Sequence, residues 1–254
     1  QKKITIHTQG HLLTHVGFLS IFRNIEIIHT VQNQAEYEAG PSRMKLHSFY
    51  FKKLGVISIA NSAEIAKSFF AYYGFNTKHT ILNGIDLENL AKNESNNIEV
   101  NKNKNHVVLC SIGSFGPHKN QRLLIDAFIE VNDPLSTLYI VGKNYNNYLD
   151  DIYLADIQKY PINIINEGKN SFLYLDASDI FCMSSRNEGL PLTLMEAKIK
   201  NKTIVTTNAG GSKEVLDDND YVVELDDFEG YVKALKESIN AIRQNRNKNM
   251  ENKS

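Results

Sequence analysis

Short apolar runs alternate with amphipathic stretches along most of the chain. Residues 3–6, 25–28, 55–60 and 80–82 are β-prone and bounded by turn signals, which predicts four strands. Residues 12–21 and 63–73 carry apolar positions at helical spacing, and Ser62 is placed to cap the second of these helices. Asn83-Gly84 closes the fourth strand as a turn pair. A second alternating series follows, with strands at 106–112, 138–142, 162–165, 179–183 and 203–207 and an edge strand at 222–223. Its helices fall at 121–131 and 228–242. Strands alternating with helices imply an α/β chain with parallel sheets and right-handed crossovers.

Residues 92–105 break the pattern, being rich in Asn, Lys, Glu and Ser, and read as a linker. Two parallel-sheet domains are therefore expected, at 1–91 and 106–243, with a disordered Asn- and Lys-rich tail at 244–254. Three loops at strand ends recur in the second: 113–120, 188–191 and 208–212. Ligands of open parallel sheets bind beyond the carboxyl ends of the strands.

The stretch Arg186-Asn187-Glu188-Gly189-Leu190-Pro191-Leu192-Thr193-Leu194-Met195-Glu196-Ala197 carries most of the chemistry. It reads as loop, then helix, with Pro191 as the start signal because its ring presets the helical φ. Free N–H groups at that helix start suit a phosphate. Glu188 lies beside that pole. Glu196 shares a predicted face with Leu192 and Ile199, an apolar stripe on which a carboxylate needs a partner. Sugar or ribose hydroxyls would serve, since a carboxylate accepts from two donors; pairing with Lys200 is the alternative.

Composition narrows the field. The chain has 254 residues and a net charge of −1, so nothing points to nucleic acid. Cys110 and Cys182 fall in apolar runs, as expected of buried free thiols in a reducing compartment. No run is long enough to span a bilayer, and a cytoplasmic location, with contact at the inner membrane face left open, is expected. Asp218-Asn219-Asp220 reads as a polar turn, histidine and cysteine spacing matches no zinc pattern, and no metal or cofactor is expected.

Glu188 and Glu196, with seven residues between them and Gly189-Leu190-Pro191 after the first, resemble the E-x7-E motif of retaining glycosyltransferases of family four. Ala177-Ser178-Asp179-Ile180-Phe181 and Gly210-Gly211-Ser212-Lys213-Glu214-Val215 are similar to the family's flanking segments. The resemblance implies the GT-B fold, two Rossmann-like domains. It implies metal-independent transfer, with retention, from a nucleotide-diphospho-sugar to a saccharide or lipid-linked acceptor in surface polysaccharide or glycolipid assembly. By the same resemblance Lys119, in the loop Gly113 to Asn120, binds the donor diphosphate. Glu188 contacts the donor sugar, Glu196 the ribose, and Gly113, Ser114, Gly189, Leu190 and Thr193 complete the donor site. Ser114 stands where the family has arginine.

In the first half, Asn83-Gly84-Ile85-Asp86 is similar to the family's Asn-Gly-Val-Asp signature. His7-Thr8-Gln9-Gly10 looks like its His-x-His-Gly segment, which makes His7 a catalytic candidate. Gln9 and, in His29-Thr30-Val31-Gln32-Asn33, Gln32 stand where the family has histidine. Nothing before Lys3 supplies the opening strands of an acceptor domain, so the first domain is expected to be incomplete. It falls roughly a third or more short of a typical one. That leaves a fragment, a short chain, or a subunit completed by a partner chain or by self-association, and an alternative function as a catalytically incomplete nucleotide-sugar-binding subunit. A sugar-nucleotide epimerase is a third, weaker reading.

Overall fold

The computed structural model describes residues 2–92, 103, 105–144, 147–166 and 171–251. Most of the expected linker, 92–105, lies outside the described residues. The chain forms two compact units. The first comprises residues 1–84 with 187–191 and 210–215; the second comprises 85–186, 192–209 and 216–254.

In the first unit, β1 (Ile4–Gln9) leads through α1 (Leu12–Val16) and a 3-10 turn to β2 (Ile25–Val31). Next come α2 (Ala35–Ala39), α3 (Met44–Lys53), β3 (Ile57–Ala60), α4 (Ala63–Tyr73) and β4 (His79–Thr80). The strands lie in the order β1-β2-β3-β4, all parallel. The expected helix at 12–21 is α-helical only to Val16 and then tightens to 3-10. The change falls at Gly17, a point of close packing: a Cβ there would stand 2.3 Å from the Tyr50 ring. Helix α4 shows why its sequence folds as it does. The Ser62 hydroxyl accepts from Ile65 N–H, Gly74 closes the other end in the left-handed conformation, and Ile65, Phe69 and Tyr73 share one buried face. That face meets Phe51 and Phe75 in edge-on aromatic contacts.

The second unit opens with α5 (Leu87–Lys92) and β5 (Val107–Ile112), then runs through α6 (Gln121–Val131), β6 (Ser136–Val141), α7 (Asp151–Ile157), β7 (Ile162–Ile165) and α8 (Ser171–Ala177). It continues with β8 (Ile180–Met183), α9 (Leu192–Ile199), β9 (Thr203–Thr207), β10 (Tyr221–Val223) and α10 (Phe228–Glu251). The sheet order is β10-β9-β8-β5-β6-β7, again parallel. Strands β5 and β8 are apolar runs because both faces are covered. Cys110 and Cys182 are buried free thiols, and burial pushes both thiols up. Asp218 and Asn219 lie in a turn, where Asp217 and Asp220 both accept from Lys198 Nζ at 2.6 Å.

The expected disordered tail is corrected. Helix α10 runs on to Glu251, the last described residue, and two arginines of its second half have partners far away in sequence. Arg243 donates to the carbonyls of Asn105 (2.8 Å) and Leu135 (2.9 Å) and pairs with Asp133 at 2.8 Å. Arg246 donates to the His106 carbonyl at 2.7 Å and pairs with Asp179. Burial of Asp133 is outweighed by these Arg243 bonds and by the Leu135 N–H, so its pKa is lowered. A lowered carboxylate pKa contributes stability above the ordinary range of about 4, lost as pH falls through the folded value. Arg243→Ala is therefore expected to cost about 2 kcal/mol at pH 7, or about 4–8 °C in Tm. Thermal melts should show that deficit shrinking below pH 4.

Candidate functional site

The loop from Gly113 to Asn120 follows β5 and is held by three residues, two through side chains and one through its backbone. Gln121, first residue of α6, accepts from Gly116 N–H through Oε1 (3.3 Å) and donates from Nε2 to the Ser114 carbonyl (3.0 Å). The Ser184 hydroxyl, just past β8, reaches the carbonyls of Lys119 (3.1 Å) and Asn120 (3.0 Å). Arg186 N–H donates to the His118 carbonyl at 2.8 Å, and its guanidinium pairs with Asp226. Asn120 takes the left-handed turn into α6, a conformation asparagine tolerates. The Lys119 stem lies along Gly113: its Cε is 3.8 Å from where a Cβ would stand on that glycine. Gly113, Ser114 and Lys119 are thus brought together at a strand end, on a backbone with little freedom to move.

Glu196 sits in α9, and the expected stripe is corrected. Leu192 and Ile199 are exposed, while Leu194 and Ala197 face the core. Glu196 is therefore at the margin of the buried face rather than in its middle. Burial still raises its pKa. The alternative partner is engaged elsewhere: Lys200 Nζ lies 3.0 Å from Asp176. Thr193 is half-buried in the first turn of the same helix.

Glu188, Gly189 and Leu190 belong to the first unit. Glu188 is 7% exposed, so its carboxyl is not a solvated loop acid. Gly189 and Gly211 hold this turn by close approach. A Cβ on Gly189 would lie 1.7 Å from the Gln32 carbonyl oxygen, and one on Gly211 the same distance from that of Gly189. Gly211 N–H donates to the Glu188 carbonyl (3.2 Å), and Asn83 Nδ2 donates to that of Leu190 (3.2 Å). The Glu214 carboxylate caps α4 by accepting from Glu64 N–H at 2.9 Å.

His7 is exposed on the edge strand β1 and meets Thr30 Oγ1 at 2.8 Å. On the buried side of the same strand lies a network that sequence reasoning missed. His29 Nε2 donates to Glu38 Oε1 (2.9 Å), His29 Nδ1 meets Thr8 Oγ1 (2.9 Å), and Glu38 Oε2 accepts from Gln32 N–H (2.9 Å). His47 joins Thr14 and Tyr73, and burial, with His29 nearby, lowers its pKa to about 4. Gln121, Ser184 and Arg186 were also missed. Their signal, a polar side chain at a strand or helix end beside a glycine loop, is too common to single them out.

A lysine-bearing strand-end loop, a helix opening after a Gly-Leu-Pro turn, and two parallel-sheet units are the features of a GT-B glycosyltransferase. The chain belongs to the family described as Glycosyl transferases group 1, whose model matches residues 92–253. A capsular polysaccharide biosynthesis glycosyltransferase, CapH, from Staphylococcus aureus is 28% identical over 197 residues, 70% of this chain and 49% of that protein. An Escherichia coli UDP-Gal:alpha-D-GlcNAc-diphosphoundecaprenol alpha-1,3-galactosyltransferase is 28% identical over 167 residues, 61% of this chain and 43% of that protein. The chain spans about half the length of the curated relatives it matches. Anabaena Alr3699/HepE, solved with UDP and glucose, superposes with a TM-score of 0.75 at 18% identity, covering 93% of this chain and 67% of that one. Sucrose-phosphate synthase from Thermosynechococcus elongatus superposes at 0.74 with 16% identity, covering 95% and 68%. These superpositions establish the GT-B fold. Among the described residues no helix is long and apolar enough to cross a membrane.

The raised pKa of Glu196 has a consequence for stability. A carboxyl held above its ordinary value penalises the folded state by an amount that grows as pH rises from the unfolded value of about 4.3 to the folded value, and is absent well below the first. Glu196→Gln is expected to melt at the same temperature as the wild type or higher at pH 8. The difference should vanish at pH 4 in parallel calorimetric scans.

Proposed function

We propose that this chain acts in sugar transfer, with retention, from a nucleotide-diphospho-sugar to a saccharide or lipid-linked acceptor, as a family-four member serving polysaccharide assembly. The observation that carries the reading is the Lys119 loop, held at a strand end by Gln121 and Ser184 within the segment the family model matches. The two relatives just described, one in capsule synthesis and one acting on a lipid-linked saccharide, support the acceptor class.

Each residue has a role in that chemistry. The bond between the anomeric carbon and the diphosphate oxygen breaks, the acceptor hydroxyl oxygen bonds to that carbon on the same face, and the hydroxyl proton passes to the departing diphosphate oxygen. Lys119 offsets the charge that grows on the departing diphosphate, with Gly113 and Ser114 admitting it to the loop backbone. The N–H groups opening α9, Thr193 among them, act in the same sense. Glu196 accepts from ribose hydroxyls, which recovers the cost of keeping a half-buried carboxylate ionised. Glu188 contacts the donor sugar, with Gly189 and Leu190 presenting backbone groups. His7 is the candidate from the first unit for the acceptor side. The protein supplies no metal or cofactor in this scheme.

Glu188→Ala and Lys119→Ala, assayed separately for donor hydrolysis and transfer, are each expected to lose about 10²–10³-fold in kcat. Unchanged rates in both would sink the assignment. Ser114 in place of arginine favours a second reading, a donor-binding subunit that needs another chain. Calorimetry showing tight binding of a nucleotide-sugar without turnover selects it.

A further inference from the structure

We infer that Glu38, oriented by His29, is a positioning residue for the turn that carries Glu188. The inference rests on the reading of Glu188 as a donor-sugar contact. Three observations meet at one residue, Gln32. The Gln32 carbonyl is the seat of Gly189, so close that no side chain fits between them. The same carbonyl accepts from Asn61 Nδ2 at 3.3 Å. On the other side of its Cα, Gln32 donates its N–H to Glu38 Oε2 at 2.9 Å. A carbonyl that touches a neighbouring backbone transmits its own displacement, because the contact has no soft side chain to absorb it.

Glu38 is an unusual choice for holding a peptide. It is 8% exposed and reaches Gln32 only by bringing a carboxylate into the core. Its other oxygen accepts from His29 Nε2, and His29 is fixed in turn by the Thr8 hydroxyl. Core stability alone does not call for such a group, since apolar residues of similar size hold a core as well or better. What it adds is direction. A carboxylate gripped on both oxygens fixes the Val31–Gln32 peptide, and so holds one side of the residue whose carbonyl, one Cα further on, seats Gly189 next to Glu188. Misplacement of a contact group by about 1 Å is enough to cost about 10²-fold in rate.

Glu38→Gln tests this, because the amide oxygen still accepts from Gln32 N–H while the bond to His29 needs the other tautomer. Two readouts are taken on the full chain. In hydrogen-exchange mass spectrometry, peptides covering 187–191 should exchange about tenfold faster or more, while peptides covering α4 and β5 stay as in the wild type. In steady-state kinetics with a nucleotide-sugar, kcat should fall about tenfold or more with KM within about twofold. Phe69→Leu serves as the control: it loosens the same core while removing no hydrogen bond to Glu38 or Gln32, and should raise exchange across α3 and α4 rather than in the turn. Unchanged exchange at 187–191 in Glu38→Gln overturns the inference, as does faster exchange with an unchanged kcat. If the wild type turns over no nucleotide-sugar, the functional reading fails, and the exchange arm still decides whether Glu38 seats the turn.

Discussion

One backbone-on-backbone contact ties distant parts of this chain together. The Gln32 carbonyl sits against Gly189, and the Gly189 carbonyl against Gly211, at separations that leave no space for a side chain. Through that stack, segments 187–191 and 210–215 are part of the first unit, although their flanking residues belong to the second. Glycine here is not a flexible joint. It allows peptides to touch, and the hydrogen bond from Gly211 to Glu188 locks the arrangement. The two glutamates of the sequence motif are consequently anchored differently. Glu188 is carried on a turn seated in the first unit, and Glu196 on a helix of the second.

The same economy governs the Lys119 loop. Its carbonyls and N–H groups would be orphaned at a strand end, and they are answered by Gln121, Ser184 and Arg186. Rigidity is useful where a charge must be met at a fixed point, because preorganised groups need no rearrangement when charge develops. Glu196 shows the opposite trade. Burial makes its carboxylate harder to ionise in the free protein.

Much of this was legible in the residues, for identifiable reasons. Helices α4 and α6 and strands β7 and β9 fall where periodicity and Ser62 place them, because local pattern and burial agree there. Helix α3 escaped detection because a buried histidine, His47, occupies a core position, and its partners Thr14 and Tyr73 are distant in sequence. The end of α10 looked like a tail because its apolar face gives way to Arg, Asn and Lys. Its anchors, Asp133, Asp179 and three carbonyls, cannot be read from local composition. Spacing placed Glu196 beside Leu192 and Ile199, but it could not say that those two face outward. Nor does a strand-loop-helix pattern reveal which unit a loop joins, since that depends on the Gln32 carbonyl.

The seat of Gly189 is the point at which fold and proposed chemistry meet, and it can be tested by adding a single carbon. Gly189→Ala would bring a methyl group to 1.7 Å from the Gln32 oxygen. The measurement is donor hydrolysis or transfer by Gly189→Ala, beside its far-ultraviolet circular dichroism and calorimetric binding of the nucleotide diphosphate. The account predicts retained secondary structure and nucleotide binding with transfer reduced about 10²-fold or more. Transfer at the wild-type rate would contradict it.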